Sequence, residues 1–320
     1  MTRAMSLLAL LLLLGGVAYP AFGSEGSAVL EVRRMLDLLL AARAAYLEAF
    51  EGGGTELESP LDLEEARLLV SELRLLNERQ RVLPAELVDG LQRDLAQVAG
   101  RPDLPERLLA CAEMLSRQTG LALTERPEVR PSAQRGAGLY AENCAGCHGA
   151  RGAGDGPDAV RAGLAPPDFT SEVFMRRETP RDFFLRIGVG HRRRGMPEWA
   201  EVLSVRQRWD LVAHLWGLRG TAADRAGGAR LWRERCAACH GTGGEGASSK
   251  APDLSRNGAL DERSDRALFV MLFRGPHAGL AQILGDDDRW RVIAHLRTLS
   301  LGGVAPGRAR DSPAEAGRGK

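Results

Sequence analysis

Lysine is nearly missing from this 320-residue chain; it occurs only at Lys250 and Lys320, and arginine supplies the rest of the 43 basic residues. These face 42 acidic residues, so the formal net charge of +1 gives no overall field to draw in a nucleic acid or an anionic membrane surface. Aromatic residues make up only 5%, which makes the position of each tryptophan informative. Five cysteines, four of them in two tight pairs, leave no disulfide framework. Long apolar runs are missing as well, except at the N-terminus. There Arg3, the apolar residues 7–17 and Ala21-Phe22-Gly23 read as a secretory signal over residues 1–23. An uncleaved membrane anchor is the alternative, but Pro20 interrupts a run that would need about 20 apolar residues to span. Residues 302–320 show no apolar periodicity, read as a disordered tail, and are too polar to cross a membrane.

What is present centres on the paired cysteines. Cys144-Ala145-Gly146-Cys147-His148 is repeated as Cys236-Ala237-Ala238-Cys239-His240. C-x-x-C-H is the attachment pattern of c-type haem: two thiols each form a thioether to one vinyl group, and the adjacent imidazole ligates the iron. Two C-x-x-C pairs also suit a zinc ribbon. Each pair here has its own histidine, the pairs lie far apart in the chain, and the N-terminus points to export. Two covalently bound haem c groups are therefore expected, with His148 and His240 as the proximal ligands.

The rest of the chain falls into three parts, and the fold class expected is all-α. Residues 24–125 lack the motif and read as packed helices. Met35, Leu39, Ala42, Tyr46 and Phe50 keep helical spacing, as do Leu69, Leu73 and Leu76, and Leu87, Leu91, Leu95 and Val98. Gly52-Gly53-Gly54 and Gly100-Arg101-Pro102 mark breaks. Cys111 falls on an apolar face with Leu108 and Leu115, which predicts a buried, inert thiol. A docking module, a lid and packing material are all open for this segment. Residues 134–219 form the first haem domain and 225–301 the second. Their order repeats: Gly136-Ala137-Gly138-Leu139-Tyr140 answers to Gly228-Ala229-Arg230-Leu231-Trp232, Pro167-Asp168-Phe169 to Pro252-Asp253-Leu254, and Trp209 with His214 to Trp290 with His295. His214 is read as packing. The two closing helices start at Ser204 and Gln207, a capping box, and at Gly285 followed by Asp286, Asp287 and Asp288.

The distal ligands divide the copies. Gly195-Met196-Pro197, between the haem loop and the closing helix, makes Met196 the expected ligand of the first iron; His191 is a minor alternative. Arg192, Arg193 and Arg194 form either a partner-facing basic patch or an ordinary solvated loop. No Met-Pro occurs in the second copy. Met196 lies thirteen residues before Trp209, and the same count back from Trp290 reaches His277. His277 is the first candidate, Met271 in an apolar run the second, and an iron with no strong protein ligand the third.

From 134 to 301 the chain resembles tandem class I, cytochrome-c-like domains. That resemblance implies a proline carbonyl accepting the proximal imidazole N–H, with Pro167 (Pro166 beside it) and Pro252 as candidates. The stretch 138–157 (GLYAENCAGCHGARGAGDGP), with the helical segment before it, also resembles the exported cytochrome portion of bacterial cytochrome c/iron permease fusions. The expected function is periplasmic single-electron transfer between redox proteins, near a respiratory or iron-uptake complex, without enzymatic activity of its own. The alternative is a dihaem peroxidase-type enzyme or a haem-based sensor with an open iron in the second domain.

Overall fold

The computed structural model describes residues 25–50, 54–97, 99–219, 221–247, 251–256 and 258–302. The expected signal (1–23), Gly52, Gly53, Val98 and the tail beyond Gly302 lie outside these residues. Among the described residues the regular elements are all helical, in keeping with the expected fold class, and one isolated bridge joins His191 to Met196. In chain order they are α1 (Glu25–Ala49), α2 (Pro60–Gln80), α3 (Ala85–Leu95), α4 (Leu104–Thr119), α5 (Ala133–Asn143), α6 (Ala145–His148), α7 (Pro157–Ala162), α8 (Glu172–Met175), α9 (Pro180–Val189), α10 (Val205–Leu218), α11 (Ala222–Arg235), α12 (Ala237–His240), α13 (Asp265–Met271) and α14 (Asp286–Leu301). Single 3-10 turns occupy Arg192–Arg194 and Gly275–Gln282.

These elements form two compact units. The first joins the chain up to Arg126 with Arg181–Arg208, and the second joins Pro127–Pro180 with the chain from Trp209 onward.

In the first unit α1 is the central helix. Met35, Leu39, Ala42 and Tyr46, with Phe50 beyond its end, are buried as their spacing predicts, and Leu36, Leu38 and Leu40 are buried too. One stripe would bury a single face; burial of these neighbours shows α1 packed on several sides. Leu69, Leu73 and Leu76 of α2 and Leu91 and Leu95 of α3 join this core, with Val88 in place of the expected Leu87. Cys111 is buried on α4, and burial pushes its thiol up to about 11, so it is an unreactive thiol as expected. Charge is buried alongside. Arg33 donates to the Leu123 carbonyl at 2.8 Å and pairs with Asp37 at 3.2 Å, while the buried Arg208 lies 4.3 Å over the Phe184 ring.

The second unit contains the duplicated frame. α5 crosses α10 at Gly136, where a Cβ would fall 1.9 Å from the Asp210 carbonyl oxygen; α11 crosses α14 at Gly228, where it would fall 1.9 Å from the Arg291 carbonyl oxygen. Only glycine allows either crossing. His214 rests 5.0 Å from the Tyr140 ring and His295 5.9 Å from Trp232, and burial lowers the pKa of both histidines. They are neutral packing residues, as the repeat suggests for His214. The core of the second copy gathers Leu231, Trp232, Leu260, Leu268, Leu284, Val292, Ile293 and Leu296. One buried carboxylate ties the copies to each other. Asp265, at the start of α13, takes Arg297 of α14 at 2.7 Å and also Arg219, just past the end of α10. Burial pulls both guanidinium pKa values down to about 9, which leaves both charged at neutral pH.

Candidate haem-attachment sites

Both C-x-x-C-H motifs occupy the same local frame. α5 ends at Cys144, α6 turns through Cys147 and His148, and the loop then folds back so that the Gly154 N–H donates to the His148 carbonyl at 2.9 Å. In the second copy α11 ends at Cys236, α12 turns through Cys239 and His240, and Gly246 donates to the His240 carbonyl at 2.8 Å. A side chain from the preceding helix closes each loop. The Tyr140 hydroxyl donates to the Gly149 carbonyl at 2.8 Å, and Trp232 Nε1 donates to the Gly241 carbonyl at 3.0 Å. The proline segments come in at matching points. Phe169 donates its N–H to the Gly152 carbonyl and Leu254 to that of Gly244, both at 2.7 Å. A Cβ on Gly154 would lie 2.5 Å from the Pro166 oxygen, and both Gly154 and Gly246 have positive φ. The repeat read from residue order is thus a repeat of backbone geometry.

None of the four motif cysteines is in a disulfide. Burial raises the pKa of Cys144 and Cys236 to about 11. Nδ1 of His148 and Nδ1 of His240 are both buried without a hydrogen-bond partner among the described residues. Burial lowers the pKa of His148, whose ring stacks on Phe169 at 4.9 Å. Burial also lowers His240; the Pro252 carbonyl acts against this, and the neighbouring His277 adds to it.

His277, in the Gly275–Gln282 turn, faces His240 with ring centroids 6.0 Å apart and planes inclined by 28°. Two metal–imidazole bonds of about 2 Å, plus about 1 Å from each bonded nitrogen to its ring centre, sum to about 6 Å. The spacing matches that sum in length, and a metal would be shared only with a nitrogen edge of each ring turned toward it. Val270, Met271, Phe273 and Ile283, on the segment that also carries His277, are 36–56% exposed and would suit the edge of a porphyrin. Donor set, spacing and uncovered apolar side chains together fit a haem. Met271 is not the core side chain that its apolar run suggests. α13 is only seven residues long and buries Asp265 and Leu268, which turns Met271 outward, its Sδ 3.5 Å from Arg263 Nη1.

In the first unit, Met196 and His191 exchange backbone hydrogen bonds of 3.0 Å in each direction, with Gly195 in the left-handed region between them. The His191 side chain is buried and turned to acids: Nε2 lies 2.8 Å from Asp62 Oδ1, and Nδ1 3.4 Å from Glu65 Oε2. The three arginines beside it do not form a free basic patch. Arg192 pairs with Glu72 at 2.8 Å, Arg193 with Glu64 at 3.6 Å, and Arg194 with Asp62 at 2.7 Å. Helix α2 supplies all these carboxylates, and sequence alone could not show that PLDLEEARLL would meet HRRRGM. Also missed were the matched Tyr140 and Trp232 hydrogen bonds, whose one signal was an aromatic nine residues before a glycine in each copy.

Among the described residues, no three His, Cys, Asp or Glu side chains are grouped so as to hold a metal ion, and no helix is long and apolar enough to cross a membrane. Residues 131–215 and 223–296 match the family model described as cytochrome c oxidase, cbb3-type, subunit III. A cbb3-type cytochrome c oxidase subunit FixPc of Rhizobium leguminosarum bv. viciae is 32% identical over 182 residues, covering 52% of this chain and 61% of that protein. Subunit FixP of Rhizobium etli is 28% identical over a match of the same coverage. The chain therefore spans about three fifths of the length of these relatives. A solved chain of the Kuenenia stuttgartiensis reducing HAO-like protein complex, 21% identical, covers 55% of this chain and 99% of its own length at a TM-score of 0.24, too low to bear on the fold. The matched segments are those that carry the two attachment frames.

Proposed function

We propose that this chain is a periplasmic dihaem cytochrome c that passes single electrons between protein partners at a respiratory complex. The observation that carries this reading is the facing pair His240 and His277, ring centroids 6.0 Å apart. If both imidazoles held the second iron, no position would stay open there for a peroxide or a gas, which favours electron transfer. Bound haem supplies a one-electron change of iron oxidation state.

The residues of this chain do the rest. Cys144 with Cys147, and Cys236 with Cys239, hold the two groups as thioethers, while His148 and His240 take the proximal positions. Pro167 and Pro252 offer the carbonyls that accept the proximal Nδ1–H; the Pro252 carbonyl already bears on His240. Met196, on its place in the sequence, would be the distal ligand of the first iron, and His277 that of the second. Axial positions filled by these residues would keep the ligand set the same in both oxidation states and reorganisation small.

The respiratory setting draws on the relatives, which are named as cbb3-type oxidase subunits. An iron-uptake setting rests on the stretch 138–157 alone. The periplasmic location rests on residues 1–23. An optical spectrum of the ferrous protein under carbon monoxide tests the reading. An unchanged spectrum is expected, and prompt conversion of one haem to its carbonyl form would favour the peroxidase or sensor alternative.

A further inference from the structure

The first unit contains no attachment motif, yet it concentrates buried charge at one place. Asp62 and Glu65, three residues apart on the same face of α2, are 3% and 2% exposed. Both are turned to the loop that carries Met196. Glu65 accepts the backbone N–H of Arg192 at 3.2 Å and that of Arg193 at 3.0 Å. Asp62 receives Arg194 through two nitrogens, at 3.1 and 2.7 Å, and His191 at 2.8 Å. On the far side of Met196, Glu198 is held by Arg34 of α1 at 2.6 Å, and Arg34 also binds Glu72 at 2.9 Å. Between these anchors the reciprocal backbone bonds of His191 and Met196 fix the turn.

Burying carboxylates is unfavourable unless their partners are fixed, and an apolar contact would pack a loop against a helix at less cost. What carboxylates add is register: a pair of oxygens on two successive N–H groups admits one placement of the backbone. Methionine needs that help. Its side chain has three rotatable bonds and ligates through a weak thioether, so the placement of its backbone decides whether sulfur reaches a metal.

We propose that Asp62 and Glu65 are positioning residues for Met196, and that the N-terminal helices serve as the mount for the distal ligand of the first haem. This rests on Met196 being that ligand.

The test uses the full-length holoprotein and three variants: Glu65→Ala, Glu65→Gln and Met196→Ala. The readouts are the weak sulfur-to-iron band of the ferric protein and the exchange of the Arg192 and Arg193 amides. The low-spin signal of the second haem and the far-ultraviolet circular dichroism report whether each variant has folded. Glu65→Ala should lose most of the sulfur band and exchange both amides about tenfold faster or more, while the second haem keeps its signal. Glu65→Gln, which keeps one acceptor oxygen but sets an NH2 against the other N–H, should protect one of the two amides and fall between wild type and Glu65→Ala in the band. Met196→Ala should lose the band altogether. If Met196→Ala keeps the band, the ligand assignment is wrong and the inference goes with it. If Met196→Ala loses the band but a folded Glu65→Ala keeps it at the wild-type level, Met196 stands as ligand and its positioning by Glu65 is refuted.

Discussion

The imidazoles of His240 and His277 are neighbours with centroids 6.0 Å apart, although thirty-six residues and a separate helix lie between them in the chain. His240 closes the short helix that begins at Cys236, and His277 lies in a 3-10 turn beyond α13. α14 and α10 each cross their partner helix at a glycine, and the count back from Trp290 that singled out His277 starts from that equivalence.

His277→Ala should remove one axial donor at the second iron. The expected outcome is loss of that haem's low-spin signal in low-temperature electron paramagnetic resonance, together with carbon monoxide binding to one haem per chain. A variant that keeps its low-spin signal would move the ligand elsewhere, to Met271 or to an unassigned group.

The two haems should also differ in potential. Imidazole is a stronger donor than a thioether and stabilises the ferric state more, so a haem held by His240 and His277 should lie below one held by His148 and Met196 by on the order of a hundred millivolts. A redox titration followed optically should resolve two waves. Met196→His should bring the upper wave down toward the lower one; an upper wave that stays in place would remove Met196 from the ligand set.

Asp265→Ala should be among the most destabilising single changes in the second unit. It would leave Arg219 and Arg297 buried without the carboxylate they share. The expected loss is about 3–5 kcal/mol, read as a lower urea midpoint. A change below about 1 kcal/mol would mean that the backbone carbonyls of Leu260 and Arg263, which also hold Arg297, carry the contact alone.

Much of this was legible in the sequence, and the parts that were share one property: they depend on residues near each other in the chain or repeated at fixed spacing. The attachment motifs, the repeated residue order around them and the buried Cys111 are of this kind. The link between Asp62 and His191 is not, since it joins residues 129 apart with no periodicity to announce it. The arginine run 192–194 shows the limit most clearly. Its charge is plain in the sequence, but the acids of α2 that pair with it become visible only in the folded chain. A docking surface built on those arginines therefore has no support. Met271 fails differently: an apolar run suggests burial, but a helix of seven residues has too little surface to bury all of it.

Asp62 predicts how the first unit responds to acid. Burial acts to raise its pKa, but hydrogen bonds from His191, Arg194 and Ser59 outweigh this and hold the carboxyl well below the usual range. The folded state thus keeps a charge that the unfolded chain would lose near the ordinary value of about 4. Its contribution to stability is complete above that pH and fades as the pH falls toward the lower folded-state pKa. Denaturation midpoints measured from about pH 6 down to about pH 3 should drop more steeply for wild type than for Asp62→Asn. Parallel curves would show that Asp62 carries no such linkage.

Intact mass spectrometry of the protein from a host that attaches haem c tests the central claim most directly. The account predicts a mature polypeptide carrying two haem masses that survive acid-acetone extraction, falling to one when Cys236 and Cys239 are both replaced by alanine. A single haem in the wild type, or a mass that accounts for zinc and no haem, would contradict it.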